Sequence, residues 1–131
     1  MKSIFIPGNV ASSKNSKQWT GTRLIWGKLA QKYRANTAWY WKTYKKEFHK
    51  MIEGKMKPYK VGFFFVRDSK RKFDIVNLVQ TCQDLMVAYG WIVDDNADEI
   101  LPFPFAELDP QFGTKWYGID KEKPGVYISV L

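Results

Sequence analysis

Between Asp74 and Gly90 seven apolar residues, Ile75, Leu78, Val79, Cys82, Leu85, Met86 and Tyr89, recur at intervals of one, three and four residues. At 3.6 residues per turn that spacing gathers them on one stripe of an α-helix. Asp74 suits the N-cap, and Phe73 and Leu78 stand where a hydrophobic staple would join. Gly90 suits the position just past the C-terminus. Such a helix draws its stability from covering its apolar stripe, so the rest of the chain has to supply a surface for it. Tyr59–Val66, YKVGFFFV, is aromatic and β-branched enough to be the central strand of that surface.

The remaining elements are weaker. Ser3–Ile6 reads as an opening strand stopped by Pro7-Gly8, and Thr22–Trp26 as a weak strand before Gly27. Asn36 or Thr37 is expected to cap a helix reaching about Glu53, with Gly54 beyond it. Ala38, Trp41, Phe48, Met51 and Ile52 form its apolar face, and Lys42, Lys45, Lys46, His49 and Lys50 lie mostly elsewhere on its surface. Trp91–Val93 is expected as a short strand. After Pro102 and Pro104 the chain loops through Phe112-Gly113, and Lys115–Ile119 and Val126–Val130 are expected to form a hairpin around Lys121–Gly125. The expectation is an α+β fold, one small domain over residues 1–131, with a mixed sheet of about five strands and two main helices.

Charge is divided along the chain, whose net charge is +8. Residues 1–60 carry 14 Lys and Arg against Glu47 and Glu53, a balance of +12; residues 61–73 add +3, and residues 74–131 carry −7. A basic half and an acidic half suggest a polyanion on one surface and cations or partners on another. Cys82 is the only cysteine and falls on the apolar stripe, so a core thiol and a reducing, cytoplasmic setting are expected. The N-terminus lacks the apolar core of a leader, and no run has the length of a membrane span.

The basic approach Lys70-Arg71-Lys72 leads straight to Asp74, and Asp94-Asp95-Asn96 follows soon after Gly90. Lys and Arg hold phosphates, whereas clustered carboxylates hold a hard divalent cation. Lys14 and Lys17, in the small polar run Asn9–Gln18, are further phosphate donors. Asp74, Asn77, Thr81 and Asp84 form a polar stripe on the helix. From Asp74 to Gly90 is about 24 Å of helix, and a strand from Gly90 to Asp95 folded straight back recovers about 17 Å. Asp74 and Asp95 then nearly meet across a metal. The alternatives are that Asp95 works beside Asp84, or that a second subunit completes the site. Asp98 and Glu99 read as surface charge.

Asp74-Ile-Val-Asn77, then Asp84-Leu85, Gly90-Trp91-Ile92 and Asp94-Asp95-Asn96 resemble the signature of RusA-type Holliday-junction resolvases, and Ser12-Ser13-Lys14-Asn15-Ser16 resembles that family's N-terminal loop. The resemblance implies a RusA-like homodimer, bacterial or phage-encoded, that binds four-way DNA junctions in recombination and repair. It also implies cutting of those junctions by paired hydrolysis with Mg²⁺ or Mn²⁺. By that resemblance Asp74, Asp95, Asp94 and Asn77 are catalytic, Asp74, Asp95 and Asp84 hold metal, and Lys14, Lys17, Lys70, Arg71 and Lys72 bind DNA. Two positions depart from the pattern: Val76 replaces a carboxylate and Gln80 replaces a lysine. Asp84 or Asp98 would then substitute. The alternative is a branched-DNA-binding module that has lost part of its metal site and binds without cutting.

Overall fold

In a computed structural model the elements are, in chain order, β1 (Ile4–Pro7), β2 (Lys17–Trp19), β3 (Leu24–Trp26), α1 (Lys28–Thr43), α2 (Lys45–Ile52), β4 (Tyr59–Arg67), α3 (Ile75–Ala88), β5 (Ile100–Pro104), a 3-10 turn at Pro110–Phe112, β6 (Tyr117–Ile119) and β7 (Gly125–Val130). The structure describes residues 2–12, 17–19, 24–105, 110–113 and 115–131, without the side chains of 17–19, 24–26 and 110. The architecture is α+β: a mixed five-stranded sheet and three helices, with a separate two-stranded ribbon of β2 and β3.

The aromatic run does form the central strand. β4 pairs antiparallel with β7 on one side, which in turn pairs antiparallel with β1. On the other side β4 pairs parallel with β5 over Tyr59–Phe63 and parallel with β6 over Phe65–Arg67. Alternation along the strands turns Ile4, Ile6, Val61, Phe63, Phe65, Val126 and Ile128 into one face, all buried. The stripe of α3 lies in the same core cluster, through Leu78, Val79, Cys82, Leu85 and Met86, as do Tyr33 and Trp41 of α1 and Phe48 of α2.

Gly90 ends α3 as expected, at φ +76°. Its N–H donates to Val87 O at 3.1 Å and the Trp91 N–H to Met86 O at 2.8 Å, the paired bonds of a Schellman motif. This geometry overrides the expected strand at Trp91–Val93. The Trp91 N–H is spent on the helix end, and its ring packs 5.1 Å from Trp41 and 5.0 Å from Phe48. Its indole N–H donates to Trp41 O at 2.7 Å. The chain therefore turns through the core instead of extending.

Three further expectations are corrected. The first long helix starts at Lys28, well before Asn36 or Thr37, and is broken at Tyr44 into α1 and α2. Thr37 resembles a cap in sequence, but it is buried mid-helix. Its hydroxyl donates back to Tyr33 O at 2.8 Å and accepts the Trp41 indole N–H at 3.1 Å. Lys115–Ile119 and Val126–Val130 do not pair with each other, because β6 and β7 lie on opposite sides of β4. The fifth strand is β5, overlooked because of Pro102 and Pro104. It lies at the sheet edge, where prolines need not donate to a further strand. Among the described residues no helix is long and apolar enough to cross a membrane.

Candidate functional site

Where β4 ends and α3 begins, the chain encloses an open cleft of about 1090 Å³. Its cations are Arg67, Lys70, Arg71, Lys72 and Lys115, and residues 9–12 form part of its wall. Lys70, Arg71 and Lys72 are exposed, as phosphate donors need to be. Arg67 is spent on the scaffold. Its Nη1 donates to Val10 O at 2.7 Å, and its guanidinium lies 4.9 Å from the Phe73 ring centre. Burial lowers its pKa from the usual value, against the opposing pull of Asp68 and Tyr33. On the other side the Thr81 hydroxyl reaches Ala11 O at 2.6 Å and Asn77 O at 3.1 Å. Residues 10 and 11 are thus held between β4 and α3, and the wall they form is fixed.

Asp74 sits at the N-cap of α3 with extended backbone, φ −88° and ψ 117°. Its side chain nevertheless makes no cap hydrogen bond. One carboxylate oxygen accepts the Asn77 side-chain amide at 3.3 Å, and the residue lines the cleft in an exposed position. Val76, at the position of the missing carboxylate, is 73% exposed.

The second acidic site forms farther along α3. The Gln80 amide nitrogen donates to Asp84 Oδ1 at 2.7 Å and to Asp95 Oδ2 at 2.8 Å. One neutral donor therefore bridges a carboxylate of α3 and a carboxylate of the following loop. Because residues 90–95 turn instead of extending, Asp95 returns only to the level of Gln80, which is about 9 Å along the axis from Asp74. Of the arrangements open from sequence, this one sets Asp95 beside Asp84. Among the described residues no three His, Cys, Asp or Glu side chains form a group able to hold a metal.

Asp94 is exposed and organises its own loop. It accepts the Asp95 N–H at 2.8 Å and the Asn96 amide at 3.2 Å, and these bonds to its charged form hold its pKa below the usual carboxylate value. Asp98 stays at the surface, with its N–H donating to Asn96 Oδ1 at 3.0 Å. Glu99 does not: it is buried, paired with Lys57 at 2.8 Å and accepting the Val93 N–H at 3.4 Å. Cys82 is a buried core thiol, and burial pushes it far above its ordinary value. Lys14 lies outside the described residues, as does the side chain of Lys17 on β2.

Arg67 and Lys115 join the cleft without having been expected there. Lys115 is distant in sequence and carries no local signal, whereas the Gln80–Asp84 contact is foreshadowed by their four-residue spacing on a helix. The chain matches no known protein-family model and no curated protein.

Proposed function

We propose that the chain is a metal-dependent endonuclease of branched DNA that cuts four-way junctions by paired phosphodiester hydrolysis as a twofold dimer. The observation that carries this reading is the Asp74 carboxylate, left free of its capping duty inside a cleft lined by Lys and Arg. A carboxylate there repels a phosphate backbone unless a cation lies between them. In a protein that only grips DNA it is a defect; in a nuclease it is the metal anchor. The resemblance of residues 74–96 to the junction-resolvase signature supports the same assignment.

The carboxylates are of the type a hard divalent ion takes, but they stand in two places, Asp74 at the cleft and Asp84 with Asp95 farther along α3. Asp84 and Asp95 offer carboxylate oxygens, and the Gln80 amide, turned over, would offer its carbonyl oxygen to a cation held between them. An Mg²⁺ or Mn²⁺ ion held at Asp74 would supply charge stabilisation at a phosphate in the cleft and an activated water. Asn77 fixes the Asp74 carboxylate, and the Asp94 loop fixes Asp95. Lys70, Arg71, Lys72 and Lys115 hold the flanking backbone, contacts that read position instead of base. A junction has two equivalent arms to cut, so a twofold pair of subunits is the economical design.

A second reading, a branched-DNA-binding module without cleavage, draws on Gln80. It satisfies Asp84 and Asp95 without a metal, and Val76 offers none a ligand. The test is a synthetic four-way junction incubated with the chain with and without Mg²⁺. Paired nicks that disappear in Asp74→Asn and Asp95→Asn are the expected result. A metal-independent gel shift with no nicks selects the binding module, and no shift at low salt rejects both.

A further inference from the structure

Helix α1 carries a second surface outside the cleft. Between Lys28 and Lys46 the chain has Lys28, Lys32, Arg34, Lys42, Lys45 and Lys46 and no acid. At about 100° per residue, and taking Lys28 as origin, Lys32 falls near 40° and Trp39 near 20°. Tyr33, Thr37 and Trp41 fall near 140°, 180° and 220° on the same count. These last three are buried, so the first three define the outward face, and all three are exposed.

Trp39 is the unusual member. Its ring stands edge-on to Tyr40 with centroids 5.0 Å apart and 88° between planes. That contact still leaves it 64% exposed. A tryptophan this exposed on a helix without acids offers indole surface on the same face as Lys28 and Lys32. Lys42 belongs to the helix end, with its ammonium 6.0 Å from the Tyr89 ring centre. At the other end of the strip Leu29, beside Lys28, lines the basic cleft. The strip therefore starts at the cleft rim and runs along α1.

The geometry points to a docking strip for single-stranded DNA, with Lys28 and Lys32 on phosphates and Trp39 stacked on an unpaired base. Lys28 and Trp39 are about 16 Å apart along the axis, the length of about five stacked nucleotides at 3.4 Å each. Charge complementarity selects a polyanion, and the exposed indole selects one with unstacked bases over a closed duplex. The strip needs neither metal nor cleavage. Its failure is therefore separable from that of the nuclease reading.

The test is fluorescence anisotropy of a labelled twelve-nucleotide oligothymidylate with the whole chain, at several salt concentrations. Trp39→Ala is expected to weaken binding about tenfold, with Trp39→Phe retaining most of the affinity. Lys28→Glu with Lys32→Glu is expected to flatten the slope of log K against log salt by about 1.4, two phosphates' worth on a single strand. The loss on Trp39→Ala should persist in a Lys70→Glu/Arg71→Glu background, where the cleft is disabled. Unchanged binding by Trp39→Ala overturns the proposal. An equal loss for a twelve-base-pair duplex overturns the stacking. A fall to half the sedimenting mass in Trp39→Ala, without DNA, assigns the face to a second copy of the chain instead.

Discussion

Two side chains carry consequences that can be measured one at a time. Glu99 is buried and accepts a hydrogen bond from Lys57, which raises the Lys57 pKa above its ordinary 10.5. A group with a raised folded-state pKa contributes its full stability below the unfolded pKa and loses it as pH climbs through the folded one. Thermal melts from pH 9 to 12 should therefore show an alkaline loss above about 10.5 that is smaller in Lys57→Gln. The effect will be modest, because the lysine is open to solvent. Tyr33 is unsatisfied where Lys57 is paired. Its hydroxyl is buried with no hydrogen-bond partner among the described residues, and burial pushes its pKa well up. Removing an unsatisfied buried hydroxyl while keeping the ring recovers its desolvation cost. Tyr33→Phe should leave stability equal to wild type or about 1 kcal/mol higher in urea denaturation.

Among the elements, α3 has the most at stake, since it presents both acidic positions and is closed by a glycine in the left-handed region. Gly90→Ala places a β-carbon at φ +76°, with Lys45 Nζ 3.1 Å away. Lys45 can swing aside, so the loss should be the backbone penalty of about 1–2 kcal/mol. Gly54, past α2 at the same φ, has nothing within 4 Å of an added β-carbon. Gly54→Ala should therefore cost about as much, with unchanged denaturant slope in both variants. A much larger loss at Gly90 would show that Lys45 cannot move. Lys45 already stands at this helix end, a placement the helix dipole favours, and His49 Nε2 lies 2.9 Å from Gly90 O.

For the whole molecule, charge decides how the cleft behaves. Asp74→Asn removes the negative charge from a basic cleft. It should abolish cleavage yet tighten metal-free junction binding about fivefold, the effect of about 1 kcal/mol of repulsion in water. Titration of a labelled junction in EDTA checks the sign. Weaker binding by this variant would mean that Asp74 holds the cleft together instead of holding a cation.

How much of this was legible depended on range. The stripe of α3, its glycine stop, the strand Tyr59–Val66 and the basic approach to Asp74 all follow from neighbours within about one or two turns, where spacing alone assigns faces. Pairing partners do not follow that way. The separation of β6 from β7, the prolines admitted at the edge strand, and the turn of Trp91 into the core each depend on what a distant segment already occupies. Thr37 passed for a cap because a hydroxyl bonds equally well to a free N–H ahead or a carbonyl behind. Most residues of the site were readable, Arg67 and Lys115 excepted, but their grouping was not. Sequence by itself determined which side chains carry charge and which face of α3 is greasy, because those are local properties. Only the tertiary structure decided that Asp95 joins Asp84 through Gln80 while Asp74 faces the cations, because that choice rests on where the chain after Gly90 finds room to turn.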